Sequence, residues 1–405
     1  MLSVTPDSSL WVQSADRFGW KGPALSGSQT ASQTVSGTLE TEGNGGGRLR
    51  SPEGDYRARG TDPVVTSKVC RALGLRGGEW IVASGFPSRD RRGIRIESQE
   101  HIETINDRPT ADYIGTTPFE ELTAINPTQR IRFETGGGPL SMRVVDLLTP
   151  IGLGQRGLIV APPRTGKTIL LQQMAAGIAA NYPDIYMMVL LVDERPEEVT
   201  EMRRTVHGEV IASSNDQDVK NHLRLSRLIA QKAKRMVESG RDVLVLLDSL
   251  TRMGRAFNVG LRGGGRTMSG GLDIQALTEP KAIFGAARNI ENGGSLTIIA
   301  SCLIETGSRM DDVIFNEFKG TGNMEIILSR EMANRRLWPA IDLPQSGTRR
   351  EELLLNEQQL AFATSLRRRL ISAPPVGAME SLLEEMGKHA CNADMIARLT
   401  ARGIL

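Results

Sequence analysis

The segment Ala161-Pro162-Pro163-Arg164-Thr165-Gly166-Lys167-Thr168 has the residue types and spacing of a loop that wraps phosphate. It matches the pattern G-x-x-x-x-G-K-[ST] at every defined position except the first, where Ala161 replaces glycine. Gly166, where the backbone must approach the anion, is present. Ala161 is compatible with the loop if it keeps an ordinary backbone angle. The candidate nucleotide contacts run from Pro163 through Arg164, Thr165, Gly166, Lys167 and Thr168 to Ile169. Backbone N–H groups at the start of the following helix would cradle phosphate oxygens. Lys167 would reach the β and γ oxygens, and the Thr168 hydroxyl would hold Mg2+. A Gly-Lys-Thr turn in an ordinary strand-to-helix loop is the plainer alternative. The apolar run before the loop and the helical pattern after it weigh against that alternative.

Such a loop needs a second metal anchor, an acid at the end of a neighbouring strand. The run DVLVLLDSLTR places Asp248 there, about 80 residues after Lys167 and behind a stretch of aliphatics. Taken alone, Asp248 could instead merely cap the next helix. A third apolar run, YMMVLLV, leads into Asp193-Glu194-Arg195-Pro196-Glu197-Glu198. Glu194 is the candidate to polarise an attacking water. The same charge-dense stretch also fits a solvated, salt-bridged loop.

The elements that must hold these groups are legible as a change of rhythm. Beyond Ser141, apolar strand-like runs at 157–161, 186–192, 242–248, 295–301 and 324–329 alternate with helical stretches such as 168–180 and 219–239. Continuous apolar strands alternating with helices indicate a parallel sheet covered on both faces, an α/β nucleotide-binding core over about 141–370. The second helix stops at Gly240, a natural C-cap. From 37 to 106, short apolar bursts separated by turn clusters suit a small β-barrel. Residues 107–140 form a connector, 1–36 a loose or disordered arm, and 371–405 a short helical tail.

Composition bounds the rest. At 405 residues the chain suits two or three domains. Its 49 basic and 47 acidic side chains nearly cancel, so any nucleic-acid surface must come from local placement of Arg and Lys. Cys70, Cys302 and Cys391 lie far apart, offering neither a disulfide framework nor a zinc site. No secretory leader or membrane-spanning run is evident, which suggests the cytoplasm and no membrane partner.

Taken together, APPRTGKT, VLLVDERPEEVTEM, VLLDSLTR, PKAIFGAARNIENGGSLTIIAS, NEFKGTGNMEIILSR and PAIDLPQSGTRREELL resemble the transcription termination factor Rho family, nearly continuously from Ile105 to Leu360. The resemblance implies a RecA-like P-loop ATPase core behind an OB/cold-shock-like barrel, using ATP and Mg2+. It implies an ATP-dependent RNA translocase and 5′→3′ RNA–DNA helicase that acts in transcription termination. Single-stranded RNA would pass through a homohexamer acting on RNA polymerase and its transcription complex. An RNA-binding regulatory ring with a vestigial motor is the alternative. A rotary-ATPase or recombinase relative would share the core, but DERPEE, SGTR and the preceding barrel fit Rho better.

By that resemblance Lys167 and Thr168 are the loop residues, Glu194 the catalytic glutamate and Asp248 the metal-side aspartate. Arg349 is the finger that reaches a neighbour's ATP, and Arg336 a second phosphate sensor. Arg164 stands where a second phosphate-contacting lysine is usual, which keeps charge but changes geometry. Trp338 stands where an aromatic meets the adenine, although a buried core tryptophan fits the sequence as well. The loops Gly260–Asp273, with Arg262 and Arg266, and Glu305–Asp312, with Arg309, followed by Lys319, would track RNA in the channel. Read without the resemblance, such Gly-rich stretches are flexible surface connectors.

The barrel departs from the family pattern. Gly45-Gly46-Gly47-Arg48 replaces a GFGF-like run, and an aromatic is missing near Val64. Base stacking contributes about 1–3 kcal/mol per base, so RNA capture by this domain should be weak. Arg48, Arg50, Arg57 and Arg59 are left as possible electrostatic contacts; a mainly structural barrel is the other reading.

Overall fold

The computed structural model describes residues 32–88, 93–261 and 269–402. They form two compact units. One comprises residues up to Thr117 with Lys234–Ser239; the other comprises Pro118–Ala233 and Gly240–Leu405. The division falls inside the segment that the sequence marks as a connector.

In the first unit, strands β1 (Gln33–Thr41), β2 (Gly47–Arg50), β3 (Val64–Val65), β4 (Trp80–Pro87) and β5 (Ile94–Ile96) close on themselves in the order β1-β2-β3-β5-β4, with β4 pairing back to β1. This is an OB-like five-stranded barrel. Its first strand begins at Gln33, so the last residues of the expected arm belong to it, and residues 1–31 lie outside the described part. Alternation along β1 buries Val35 and Leu39 against Leu49, Val65, Ile81 and Ile96. Close strand approach explains the glycines at and just before the start of β2. A Cβ on Gly47 would lie 2.6 Å from the Glu40 carbonyl oxygen, and one on Gly46 would lie 2.9 Å from that of Val65.

The second unit is built on parallel strands β6 (Arg156–Ala161), β7 (Tyr186–Glu194), β8 (Glu209–Ser214), β9 (Asp242–Asp248), β10 (Ser295–Leu303) and β11 (Met324–Ile327). Their order is β8-β7-β9-β10-β6-β11, with the short antiparallel β12 (Gly347–Thr348) on the edge. Helices α1 (Lys167–Asn181), α2 (Pro196–Thr205), α3 (Val219–Glu238), α4 (Leu250–Gly260), α5 (Arg309–Lys319) and α6 (Arg330–Asn334) alternate with the strands. Because the strands are covered on both faces, Leu158–Ala161 and Val243–Asp248 are buried without alternation. Gly240 ends the α3 segment with φ +82, the left-handed angle that a helix C-cap uses.

The tail is more integrated than its sequence suggests. Helices α7 (Glu357–Ile371), α8 (Pro375–Gly387) and α9 (Asn392–Ala401) place Met379, Leu382, Met386, Met395 and Leu399 in the same hydrophobic cluster as the sheet. Arg143, buried at 5% exposure, donates to the carbonyls of Met386 at 2.9 Å and His389 at 2.8 Å. Its Nε also donates to Asn392 Oδ1 at 3.2 Å, so one buried guanidinium ties α8 and the start of α9 to the core. Among the described residues no helix is long and apolar enough to cross a membrane.

Candidate nucleotide site and nucleic-acid loops

The phosphate loop leaves the C-terminal end of β6, where ligands collect in parallel α/β sheets. Ala161 is the last residue of that strand, paired with Leu303, and keeps an extended backbone. The missing first glycine therefore introduces no strain. Gly166 has φ +84, and a Cβ added there would lie 2.8 Å from the Trp338 ring, so both angle and space require glycine. Arg164 also has positive φ, at 67°, and is exposed together with Pro163. Thr165 is buried and donates from Oγ1 to the Pro162 carbonyl at 2.6 Å, which pins the bend. Ile169 is 56% exposed on the first turn of α1.

Charges converge behind this loop. The Lys167 ammonium contacts Asp248 Oδ1 and lies 3.4 Å from Glu194 Oε1. Burial opposes its charge, but Asp248 and Glu194 outweigh burial and raise its pKa above the ordinary lysine value. Asp248 is almost fully buried at the end of β9, and its Oδ1 also accepts from Ser301 Oγ at 2.7 Å. Burial, then the neighbouring Asp248 charge, raises the pKa of Glu194, against the opposing effect of Lys167 and Arg252. Thr168 Oγ1 lies 3.5 Å from Glu198 Oε2.

The aim of Glu194 comes from a bulge. Strand β7 pairs with β8 in regular register up to Val192–Ser213, then skips Asp193 and resumes at Glu194–Ser214. Asp193 takes φ +57. The extra residue rotates the strand end so that Glu194 turns into the site, a common use of bulges beside reactive centres. Arg252, from the first turn of α4, brings Nε to 3.0 Å from Glu194 Oε1 and Nη1 to 3.5 Å from Asp193. It is a charge contact more than an aligned hydrogen bond, since Arg252 Nε has no well-directed acceptor. On the far side, His222 Nδ1 shares a 2.7 Å hydrogen bond with Ser213, and burial lowers the pKa of this imidazole.

Hydroxyl and carboxylate oxygens from Thr168 and Asp248 are the hard donors that Mg2+ takes, usually alongside phosphate oxygens and water. No group of three or more His, Cys, Asp or Glu among the described residues could cage a metal unaided. The donor set therefore fits a metal that arrives with a phosphorylated ligand.

Trp338 is 43% exposed and lies over Gly166, not in the core. The exposed Arg336, at φ +60, follows α6 near the same end of the sheet. Arg349 does not join them. It follows β12, whose Thr348 pairs with Met324 at the start of β11, which in turn pairs with Gly157 at the start of β6. Arg349 is thus at the opposite end of the sheet from Lys167, beyond reach of its own phosphate loop.

Arg309 and Lys319 are the first and last residues of α5, about 15 Å apart by helical rise. They cannot act at one point. Lys319 also lines a cavity with Arg349. Arg262 and Arg266 lie outside the described residues. The described end of their loop packs on Arg309: a Cβ on Gly270 would lie 2.8 Å from the Met310 nitrogen and 3.0 Å from the Arg309 carbonyl carbon.

Helix α4 joins the carboxylates to both loops. Ser249 caps it, accepting from the Arg252 N–H at 3.2 Å. Arg255 forms a two-pronged pair with the buried Asp311 at 2.7 and 2.6 Å, and Thr306 donates to the same carboxylate at 2.6 Å. Asn258 donates to the Gly271 carbonyl at 3.2 Å and accepts from the Asp273 N–H at 2.8 Å. Arg252, Arg255 and Asn258 recur every three residues, so they form one stripe. Spacing in DSLTRMGRAFN carried this signal, but without the fold nothing identified what the stripe faces.

The barrel arginines correct an expectation. Arg48 pairs with Glu42 at 2.8 Å, and Arg50, only 6% exposed, pairs with Glu40 and Asp62 at 2.5 Å each. Arg50 is enclosed by its two carboxylates and is not a free contact for a phosphate backbone, whereas the Arg48 pair is partly exposed. Arg57 and Arg59 are exposed.

The sequence model of the ATP synthase alpha/beta family, nucleotide-binding domain, matches residues 141–348. A transcription termination factor Rho from Rhodopirellula baltica is 48% identical over 364 residues, covering 89% of this chain and 70% of that protein. The Rho of Aquifex aeolicus is 47% identical over 371 residues, covering 91% and 85%. The chain belongs to the Rho family. Rho of Pseudomonas fluorescens biotype C, 49% identical over 354 residues, covers 86% of the chain and 84% of its own length. Among solved structures, a prototypical ATPase from the type III secretion system of pathogenic bacteria aligns with TM-score 0.54 and 25% identity, over 63% of this chain and 72% of that one. An ATP synthase subunit from Nanoarcheaum equitans, 18% identical, aligns with TM-score 0.53 over 62% of each chain and shares the fold. The core is a RecA-like, nucleotide-binding ATPase domain, and this member of the Rho family is an ATP-hydrolysing enzyme.

Proposed function

We propose that this chain is a cytoplasmic RNA-dependent ATPase that pulls single-stranded RNA through a homohexameric ring and so dissociates transcription complexes. Lys167 and the loop backbone bind the phosphates of ATP. Thr168 and Asp248 would hold Mg2+, which would supply charge neutralisation at the reacting phosphate. Glu194 orients and deprotonates the attacking water, held by Arg252 against swinging toward Lys167. Trp338 offers an exposed ring to the base, and Arg336 stands near the phosphates. Arg349, too far from its own loop, serves a neighbour's nucleotide. Arg309, with Arg262 and Arg266, contacts the RNA backbone.

The observation that carries this reading is the α4 stripe. One rigid helix touches Glu194 through Arg252, the Arg309 loop through Arg255, and the second loop through Asn258. Movement of either loop would therefore be passed to the catalytic carboxylate through side chains of a single helix. The test is ATP turnover with and without single-stranded RNA, in the parent and in Arg255→Gln. The parent should be stimulated by RNA, while the variant keeps RNA-independent turnover and loses the stimulation. Equal stimulation in both would sink the proposed route, and no stimulation of the parent by any RNA would sink the function.

A further inference from the structure

Four cations share the end of the sheet opposite the phosphate loop, and none has an acidic ion-pair partner among the described residues. Arg156 opens β6, Arg288 precedes β10, Lys319 ends α5 and Arg349 follows β12. Arg156 is braced by donating from Nε to the Thr321 carbonyl and from Nη1 to the Ala287 carbonyl, each at 3.0 Å. Arg288 lies 4.7 Å over the Phe119 ring and donates to the Ala286 carbonyl at 3.2 Å. Arg156 and Arg288 line an open cavity of about 470 Å³ with Asn323. Asn323 also borders the cavity of about 340 Å³ that holds Lys319, Arg349 and Glu325. Burial, then repulsion from Arg288 and Arg349, lowers the pKa of Arg156 below the ordinary arginine value. Like charges gathered at half-buried positions destabilise an isolated chain, and an anion placed among them relieves that cost.

The phosphate-loop end of the same unit carries the complementary charge. Helix α2 begins two residues after Glu194 and exposes Glu197 and Glu201, four apart and therefore on one face. Glu201 accepts from Gln172 on α1 at 3.2 Å, which sets α2 beside the nucleotide loop. When Arg349 approaches the phosphates of a second copy, Arg156 and Arg288 travel with it toward the rim of that copy's site.

We propose that Arg156 and Arg288 dock Glu197 and Glu201 of a second copy of this chain, closing the ring interface with ion pairs beside the shared nucleotide. This inference rests on the ring reading above and adds to it the cations that hold a neighbour without touching its ATP.

The test is sedimentation velocity of the full chain with ATP analogue and Mg2+ across protein concentrations. Glu197→Arg/Glu201→Arg alters two exposed positions of α2 and removes the hydrogen bond from Gln172 to Glu201, so the fold of the variant is checked alongside. It should raise the half-assembly concentration at least about tenfold while leaving the monomer folded by circular dichroism. Because Arg156 braces two carbonyls, the rescue uses Arg288→Glu, which should recover part of the lost assembly when combined with the α2 reversal and weaken assembly alone. Assembly unchanged by the α2 reversal, or weakened but not recovered by Arg288→Glu, would overturn the pairing while the ring itself stands. A parent that stays monomeric yet hydrolyses ATP would instead overturn the ring reading, and the pairing with it.

Discussion

The barrel and the ATPase unit use charge in opposite ways. In the barrel, charged groups satisfy one another. Arg50 is held by Glu40 and Asp62, Arg48 by Glu42, and the buried Glu79 accepts from the N–H groups of Arg76 and Gly77 and from the Tyr113 hydroxyl. In the ATPase unit, Lys167, Glu194 and Asp248 converge behind an exposed loop, and Arg156, Arg288 and Arg349 have no carboxylate ion-pair partner among the described residues. A pair closed within its own domain contributes to folding and has little left for a ligand. Charges that converge without closing are the ones that perturb each other and act on something else. The difference assigns stability to the paired barrel arginines Arg48 and Arg50, and chemistry or assembly to Lys167, Arg156, Arg288 and Arg349 of the core.

Substitutions can break or sharpen that contrast. The largest effect belongs to Arg349→Ala, which should lower turnover by about 10³–10⁵-fold, the range for a trans arginine. Mixing it with Lys167→Ala chains should restore part of the activity, because each copy supplies what the other lacks. A loss below tenfold, with no gain on mixing, would return Arg349 to a structural role. Lys167→Ala should itself lower kcat by about 10²–10³-fold. Residual turnover near the parental rate would mean that the loop does not carry catalysis.

In the barrel the same kind of change should read out as stability. Arg50→Ala leaves Glu40 and Asp62 facing each other at low exposure and should destabilise the barrel by about 3–5 kcal/mol in denaturant unfolding. ATP turnover at saturating RNA should not change beyond what that unfolding explains. Arg48→Phe puts an aromatic on the half-exposed position of β2 and should tighten RNA binding by about 1–3 kcal/mol if a base can stack there. The smallest effect is Arg48→Ala, whose partly exposed pair with Glu42 contributes about 0–1 kcal/mol. A large drop in RNA affinity from that change would show that Arg48 contacts RNA after all.

How much of this was legible depended on whether local pattern or long-range pairing decided the outcome. The strands and α1 follow from continuous apolar runs and a loop signature, and the structure places them within a few residues of the expected spans. Lys167 and Asp248 sit at strand-end positions that spacing alone indicates. Glu194 was ambiguous in a charged stretch, and only the bulge at Asp193 shows which acid turns inward. Strand order separates Arg336 from Arg349, and no one-dimensional spacing reveals it. The pairing of Arg50 with Glu40 and Asp62 was hidden for the same reason: the partners come from three different segments of the barrel wall. The tail read as an appendage because its apolar residues are spread over two short helices, yet they complete the core cluster.

The most direct test of the account is ATP turnover of the parent protein across poly(C), other single-stranded RNAs and single-stranded DNA at fixed salt. We predict stimulation by single-stranded RNA with little dependence on base, since on the proposed function the loops would track a backbone, and Gly45–Arg48 carries none of the aromatics of a GFGF-like run. No stimulation by any RNA would contradict the link through α4, and a strong poly(C) preference would contradict the reading of the barrel.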